Sequence, residues 1–328
     1  MPPRPLETLI AVFGAVAVVG VFVAGVLLLG SDDGGDDPSA DREPPPPASE
    51  HAPEPAPEPE PFPPAVVTKI DASDRGAPHI GLGSAGAILV QPVEGGLSLL
   101  LAVHWNDRPP LLGPISSARQ TDLELLGQFR QPVLAHSGAA PELLPLVAAT
   151  LPRSFTPENR PEAFHRDTDQ PGPRNLYVHP DRLPETPETR RPFPTGPAPR
   201  GGAPVTDYQV PFTRDSYEFT WSDERERWLV ERSGEPFTSE ETGQLDAGTV
   251  VVLRVPTETG LGITDASGRL SPFARTVGEG EATVLRDGRA FPATWQRSGA
   301  AEPTRLTTEN GVPIALGPGR LWVLLAPE

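Results

Sequence analysis

The 328-residue chain contains no cysteine and only one lysine, set against 26 arginines. Without a thiol there is no disulfide, no thiolate metal site, no cysteine nucleophile and no thioether lipid anchor. The arginine bias, with alanine, proline, glycine and valine abundant, matches the composition of a GC-rich bacterial genome and carries little functional meaning. Positive charge is scarce overall: the formal net charge is −17. Binding nucleic acid requires clustered cations, so nucleic acid is not expected among the partners.

What the sequence has in excess is proline, 45 residues, and one long apolar run. From Leu9 to Leu29 every residue is apolar or glycine, which matches the ~20 residues that cross a bilayer core. Residues 1–30 are therefore expected to be a retained transmembrane anchor, because a cleaved signal core is shorter and ends at a small-x-small site that LLLGSDD lacks. The acidic run SDDGGDD beyond it places the body on the extracytoplasmic side of a bacterial cytoplasmic membrane. Residues 31–64 hold twelve prolines and ten acids. They read as a Pro-rich disordered spacer of polyproline type.

Residues 65–183 alternate short apolar runs with helical patterns. AILVQPV and LSLLLAVHW read as strands around an EGG turn, and PVLAHSG as a third. TDLELLGQF opens with a capping box, Thr121 and Glu124, and PELLPLVAAT reads as a helix with Pro141 in its first turn. After a Pro/Gly-rich linker at 184–205, residues 206–328 consist of β-type runs, with Asp287-Gly288 and Asn310-Gly311 as hairpin turns and four tryptophans as core or interface aromatics. The expected fold is an α+β or α/β N-terminal domain with a mostly β C-terminal domain, behind a single transmembrane helix. GLGSAG at 81–86 spells G-x-G-x-x-G, but it follows a polar stretch and precedes a strand, so the match to a dinucleotide loop is accidental.

PVEGG at 92–96, GPISSAR at 113–119, AHSGAAPEL at 135–143 and GPRNLYVHPDRL at 172–183 occur in an order that resembles the YerB-like family of bacterial envelope lipoproteins. TGQLDAGTVVVLRVP, VGEGEATVLRDG and PIALGPGRLWVLLAP resemble its second domain, so the likeness runs over roughly residues 70–328. LLLGS at 27–31 is similar to a lipobox with Ser31 in place of the lipidated cysteine; a spanning helix would reach the same end. The resemblance also implies that several polar family positions have changed here, at Gly86, Val90, Leu99, Ser116 and Arg174, whereas Glu94, Arg119 and Asn175 remain.

Glu94, between an apolar strand and two glycines, needs a partner if buried, and Arg119 can pair with it bidentately. Glu94, Arg119 and Asn175, with Ser137 at a helix entrance, are the candidate binding residues, placed at the end of the strands where open α/β sheets take ligands. The catalytic candidates are Glu94, His136 and Ser137, with Asp122 or Asp167 as a conceivable orienting acid; AHSGA is not a nucleophile elbow. His165, Asp167 and Asp169 are the weak metal candidates, and no cofactor is expected. The reading is a membrane-anchored, non-catalytic binding or assembly module for an unknown envelope ligand or protein. Its rival is an envelope hydrolase or transferase acting on a wall or surface polymer, with Glu94 as general acid/base.

Overall fold

Ala87–Pro92 and Leu321–Pro327 are apolar on both faces, the pattern of strands covered on both sides. They pair with each other at the centre of an 11-stranded sheet. The computed structural model describes residues 62–72, 79–105, 107–185, 191–265 and 267–328. The apolar run at 9–29, the Ser31 position and the spacer up to residue 61 lie outside the described residues. Among the described residues no helix is long and apolar enough to cross a membrane.

The first half contributes β1 (Val66–Ile70), β2 (Ala87–Pro92), β3 (Ser98–His104), α1 (Gln120–Leu125), β4 (Val133–Ala135), α2 (Leu144–Thr150), β5 (Ser154–Phe155), β6 (Phe164–Arg166) and β7 (Leu176–Val178). The second half contributes β8 (Asp207–Pro211), β9 (Ser216–Ser222), β10 (Arg227–Arg232), β11 (Thr249–Val255), β12 (Gly278–Arg286), β13 (Arg289–Arg297), β14 (Arg305–Thr308) and β15 (Leu321–Pro327). The sheet order is β14-β13-β12-β11-β15-β2-β3-β1-β4-β5, with Ala203–Pro204 paired to β13. One sheet therefore runs through both halves, joined where β15 lies parallel to β2.

The described chain is mostly β, with only two short α-helices. The helical pattern of TDLELLGQF yields α1 and then a 3-10 turn, Leu126–Phe129. The expected capping box does not form. Asp122, not Glu124, reaches back to the first turn, accepting the Arg119 N–H at 2.8 Å. Thr121 Oγ1 and Glu124 face the second half instead and accept the backbone N–H groups of Ala274 (3.0 Å), Thr276 (3.0 Å) and Val277 (3.2 Å). Pro141 lies ahead of α2, whose first turn carries Pro145.

A smaller sheet built on β8, β9 and β10 covers one face of the large sheet. Tyr217, Phe219, Trp228 and Val230 pack there against Ile88, Val90, Leu100 and Trp322. On the other face Leu125, Leu126 and Phe129 join Leu89, Val251, Trp295 and Val323. The period-2 alternation of β15, with Trp322 and Leu324 on one side and Val323 and Leu325 on the other, feeds both cores. The Asp287-Gly288 turn forms as read, both residues at positive φ between β12 and β13.

Candidate functional site

The strand directions define a site before any side chain is considered. β1 is parallel to β4, and β4 to β5. β3 is antiparallel to both β1 and β2, so β2 runs with β1. The carboxyl ends of β2, β4 and β5 thus reach the same edge of the sheet, the usual ligand position in α/β sheets. There Glu94 follows β2, His136 and Ser137 follow β4, and Thr156 follows β5. A cavity of about 900 Å³ opens among them, walled by α2 on one side and by Ile263, Thr264, Asp265 and Ser271 of the second half on the other.

Glu94 is buried after β2 because Gly95 and Gly96, at φ 70° and 74°, turn the chain sharply away. Arg119 pairs with it bidentately, Nε to Oε1 at 2.7 Å and Nη2 to Oε2 at 2.9 Å. The remaining guanidinium nitrogen donates to the Ser117 carbonyl and hydroxyl. Burial pushes the Glu94 carboxyl up, but the hydrogen bonds and charge of Arg119 outweigh it, and the net shift is downward. The Ser271 hydroxyl leans toward this carboxylate without meeting hydrogen-bond geometry, and stays buried with no partner among the described residues.

Behind the pair lies a charge that the sequence reading did not single out. Lys69 on β1 is fully buried and donates to Asp122 Oδ1 at 3.0 Å. Burial lowers the Lys69 ammonium, and the Asp122 carboxylate opposes that shift. Being the only lysine among so many arginines was the available signal.

His136 is buried and held at both nitrogens, Nδ1 to the Gly138 carbonyl at 2.7 Å and Nε2 to the Ser154 hydroxyl at 2.6 Å. The Gly138 carbonyl is closer to Nδ1 than the Gly138 N–H, which lies at 3.2 Å, and a carbonyl can only accept, so hydrogen is placed on Nδ1 and Nε2 accepts from Ser154. Burial lowers its basicity, partly offset by the Gly138 carbonyl, so the ring is neutral near pH 7. Ser137 lines the cavity, but its hydroxyl makes no hydrogen bond among the described residues. Among the described residues no carboxylate hydrogen-bonds to the imidazole, and its accepting nitrogen meets Ser154 rather than Ser137.

One expected convergence and one weak alternative are not seen in the geometry. Asn175 does not join Glu94 and Arg119. It sits in the β6–β7 loop, where it holds the loop's own backbone at Asp167 (2.9 Å) and Gln170 (3.2 Å) and accepts from Arg166 (2.9 Å). Asn159, which caps the turn after β5 through the Thr156 N–H, lines the cavity instead. His165, Asp167 and Asp169 also do not converge. Asp167 closes a tight turn on the Asp169 N–H, and among the described residues no three His, Cys, Asp or Glu side chains could hold a metal ion.

Comparison with known proteins divides the chain into two matched segments. Residues 53–192 match the model described as protein of unknown function (DUF3048) N-terminal domain, and residues 208–323 match its C-terminal domain. The chain belongs to this two-domain family. Its fold is similar to the crystal structure of YerB protein from Bacillus subtilis, with a TM-score of 0.68 and 17% identity over 81% of this chain and 91% of that one. At that identity the likeness is one of fold. No curated protein matches the chain.

Proposed function

We propose that the protein is a membrane-anchored binding module on the extracytoplasmic side, and that the cavity beside Glu94 and Ser137 takes an uncharged, hydroxyl- or amide-bearing envelope molecule with an apolar face. The observation that carries this is how the site's charges are used. Arg119 spends its donors on Glu94 and Ser117, Asp265 is paired with Arg269, and Lys69 is buried behind on Asp122. What remains to meet a ligand is the hydroxyls of Ser137 and Ser271 and an aliphatic wall of Leu143, Leu144 and Val147. Glu158 at the same cavity adds negative charge and disfavours an anion. The apolar run at 9–29 supports the anchor.

The hydrolase reading is disfavoured by the same geometry. A carboxyl held ionised by a bidentate arginine is a poor general acid, and a neutral His136 backed only by a carbonyl gains little from becoming an imidazolium. Thermal melting of the full chain in detergent, with uncharged N-acetylated saccharides and short neutral peptides, tests the proposal. One class should raise the midpoint of the natural chain but not of Ala140→Trp, which fills the cavity. Turnover of such a compound, abolished by Glu94→Gln in a chain that still melts normally, would replace binding with catalysis.

A further inference from the structure

The cavity beside Glu94 has polar groups buried within it and leucines exposed at its mouth. Glu94, His136, Thr156 and Ser271 are the buried polar members of its lining. Next to them Leu143 and Val147 meet Ile263 in a small core, between α2 and a hairpin that the Ser271 N–H closes on the Ile263 carbonyl at 2.8 Å. That apolar surface continues into solvent. Among the described residues the exposed large hydrophobic side chains are Leu144, Leu146, Leu261, Leu270 and Val312, and all but Val312 belong to this mouth. Leu144 lines the cavity itself, and Leu146 adjoins Val147 on α2. The Leu261 N–H is held by Gln120 Oε1 at 2.8 Å, and Gln120 is part of the lining. Leu270 pairs with Thr264 and precedes Ser271, both in the lining.

Single exposed leucines need no explanation, but four gathered around one opening mark a surface that something covers. A free saccharide or short neutral peptide suits the hydroxyls of Ser137 and Ser271 and leaves those leucines in water. An anionic bilayer surface would cover them, yet Glu142 and Glu158, both exposed, flank the same opening and are repelled by it. An amphiphile satisfies both parts. Its head enters the cavity, and its chain stays at the mouth against the leucines.

We propose that the ligand of the Glu94 cavity is such an amphiphile, an uncharged hydroxyl- or amide-bearing head on a hydrocarbon chain, and that Leu144, Leu146, Leu261 and Leu270 receive the chain. This rests on the reading of the cavity as a site for an uncharged envelope molecule and adds the part of that molecule that lies outside it. The chemistry is that of a glycolipid or lipopeptide with a neutral head.

The test measures equilibrium binding to the full chain carried in amphipol, because detergent chains would compete for the leucines. The probes are methyl, butyl and octyl N-acetyl-β-D-glucosaminide, and the N-acetyl, N-butanoyl and N-octanoyl forms of alanyl-alaninamide, all below their micelle concentrations. With one of the two heads, affinity should rise about twofold or more per added methylene, the gain of a chain half covered by protein. Leu146→Ser combined with Leu261→Ser and Leu270→Ser should flatten that rise in a chain that still melts normally. Val312→Ser, beside β14 at the other edge of the sheet, should leave the rise in place. Ala140→Trp should abolish binding at every chain length, because the head loses its seat. Short- and long-chain probes bound equally well, and both excluded by Ala140→Trp, would overturn the proposal while the neutral-ligand reading survived; no binding with either head would overturn both. A rise that persists in the leucine variant or in Ala140→Trp would put the chain elsewhere and overturn the proposal. A dimer of the natural chain that the leucine variant dissolves would do the same, since a second copy would then cover the mouth.

Discussion

Lys69 and Asp122 form a fully buried ion pair, 3.0 Å apart and each at 0% exposure. The other oxygen of Asp122 holds the Arg119 N–H, and the Arg119 guanidinium holds Glu94. A chain of alternating charges thus fastens β1, the entrance of α1 and the turn after β2 to one another. Lys69 and Asp122 are desolvated together, so neither can leave without stranding the other.

Lys69→Met should therefore destabilise the protein by about 3–5 kcal/mol in urea denaturation, because it strands the Asp122 carboxylate. Lys69→Met combined with Asp122→Asn should recover a good part of that loss, since no buried charge is left alone. A double-mutant cycle showing simple additivity would mean that the two do not act as a pair.

Acid should weaken the fold in two stages. Burial drives His104 down to about 4 and lowers His136. Between about pH 6.5 and 4 the unfolded chain binds protons at these rings and the folded one does not, so stability falls as pH falls. For His104 the drop is of the order of 3 kcal/mol, and His104→Gln should flatten that limb in pH-dependent denaturation. Below about pH 4 a second loss sets in. Burial raises Glu94 and Asp215, but Arg119, and Arg232 with Ser98, outweigh it and lower both carboxyls. Their contribution is complete above the ordinary carboxylate range and disappears as pH falls through the lower folded values.

Glu124→Ala removes the acceptor for two backbone N–H groups of the second half and the partner of Arg275 at 3.1 Å. It should cost about 1–3 kcal/mol, more than its place on a short helix would indicate. Hydrogen exchange should show the loss at residues 276 and 277 rather than within α1 itself.

Gly86→Ala puts a methyl within 2.5 Å of the Trp105 ring. It should lower stability by about 1–3 kcal/mol and change the emission of the displaced indole, whereas Gly138→Ala at φ 123° meets no neighbour and is strained only through its backbone.

Much of this architecture was legible. The apolar runs that became β2 and β3, the glycine turn between them and the Asp287-Gly288 hairpin all signal themselves locally, and Glu94 with Arg119 followed from the need of a buried carboxylate for a forked partner. What escaped was non-local. Thr121 and Glu124 are spaced like a capping box, yet their acceptors serve residues 274, 276 and 277, some 150 residues on, and nothing in the local pattern distinguishes the two uses. Asn175 belonged to the same run of motif residues as the site but spends its amide on its own loop. Ser271 and Asn159 carried no signal, since their value lies in which cavity the fold turns them toward. The pairing of β2 with β15 was equally hidden, because a strand apolar on both faces does not name its neighbours.

That pairing governs how the two halves can move. With β15 hydrogen-bonded to both β11 and β2, the described residues of the two halves share one ladder. If the proposed binding role holds, a guest at the Glu94 edge meets a jaw that cannot swing on a hinge. It must enter a cleft already shaped for it, and any yielding is left to the short arm around Ile263 and Ser271 that leans over the mouth.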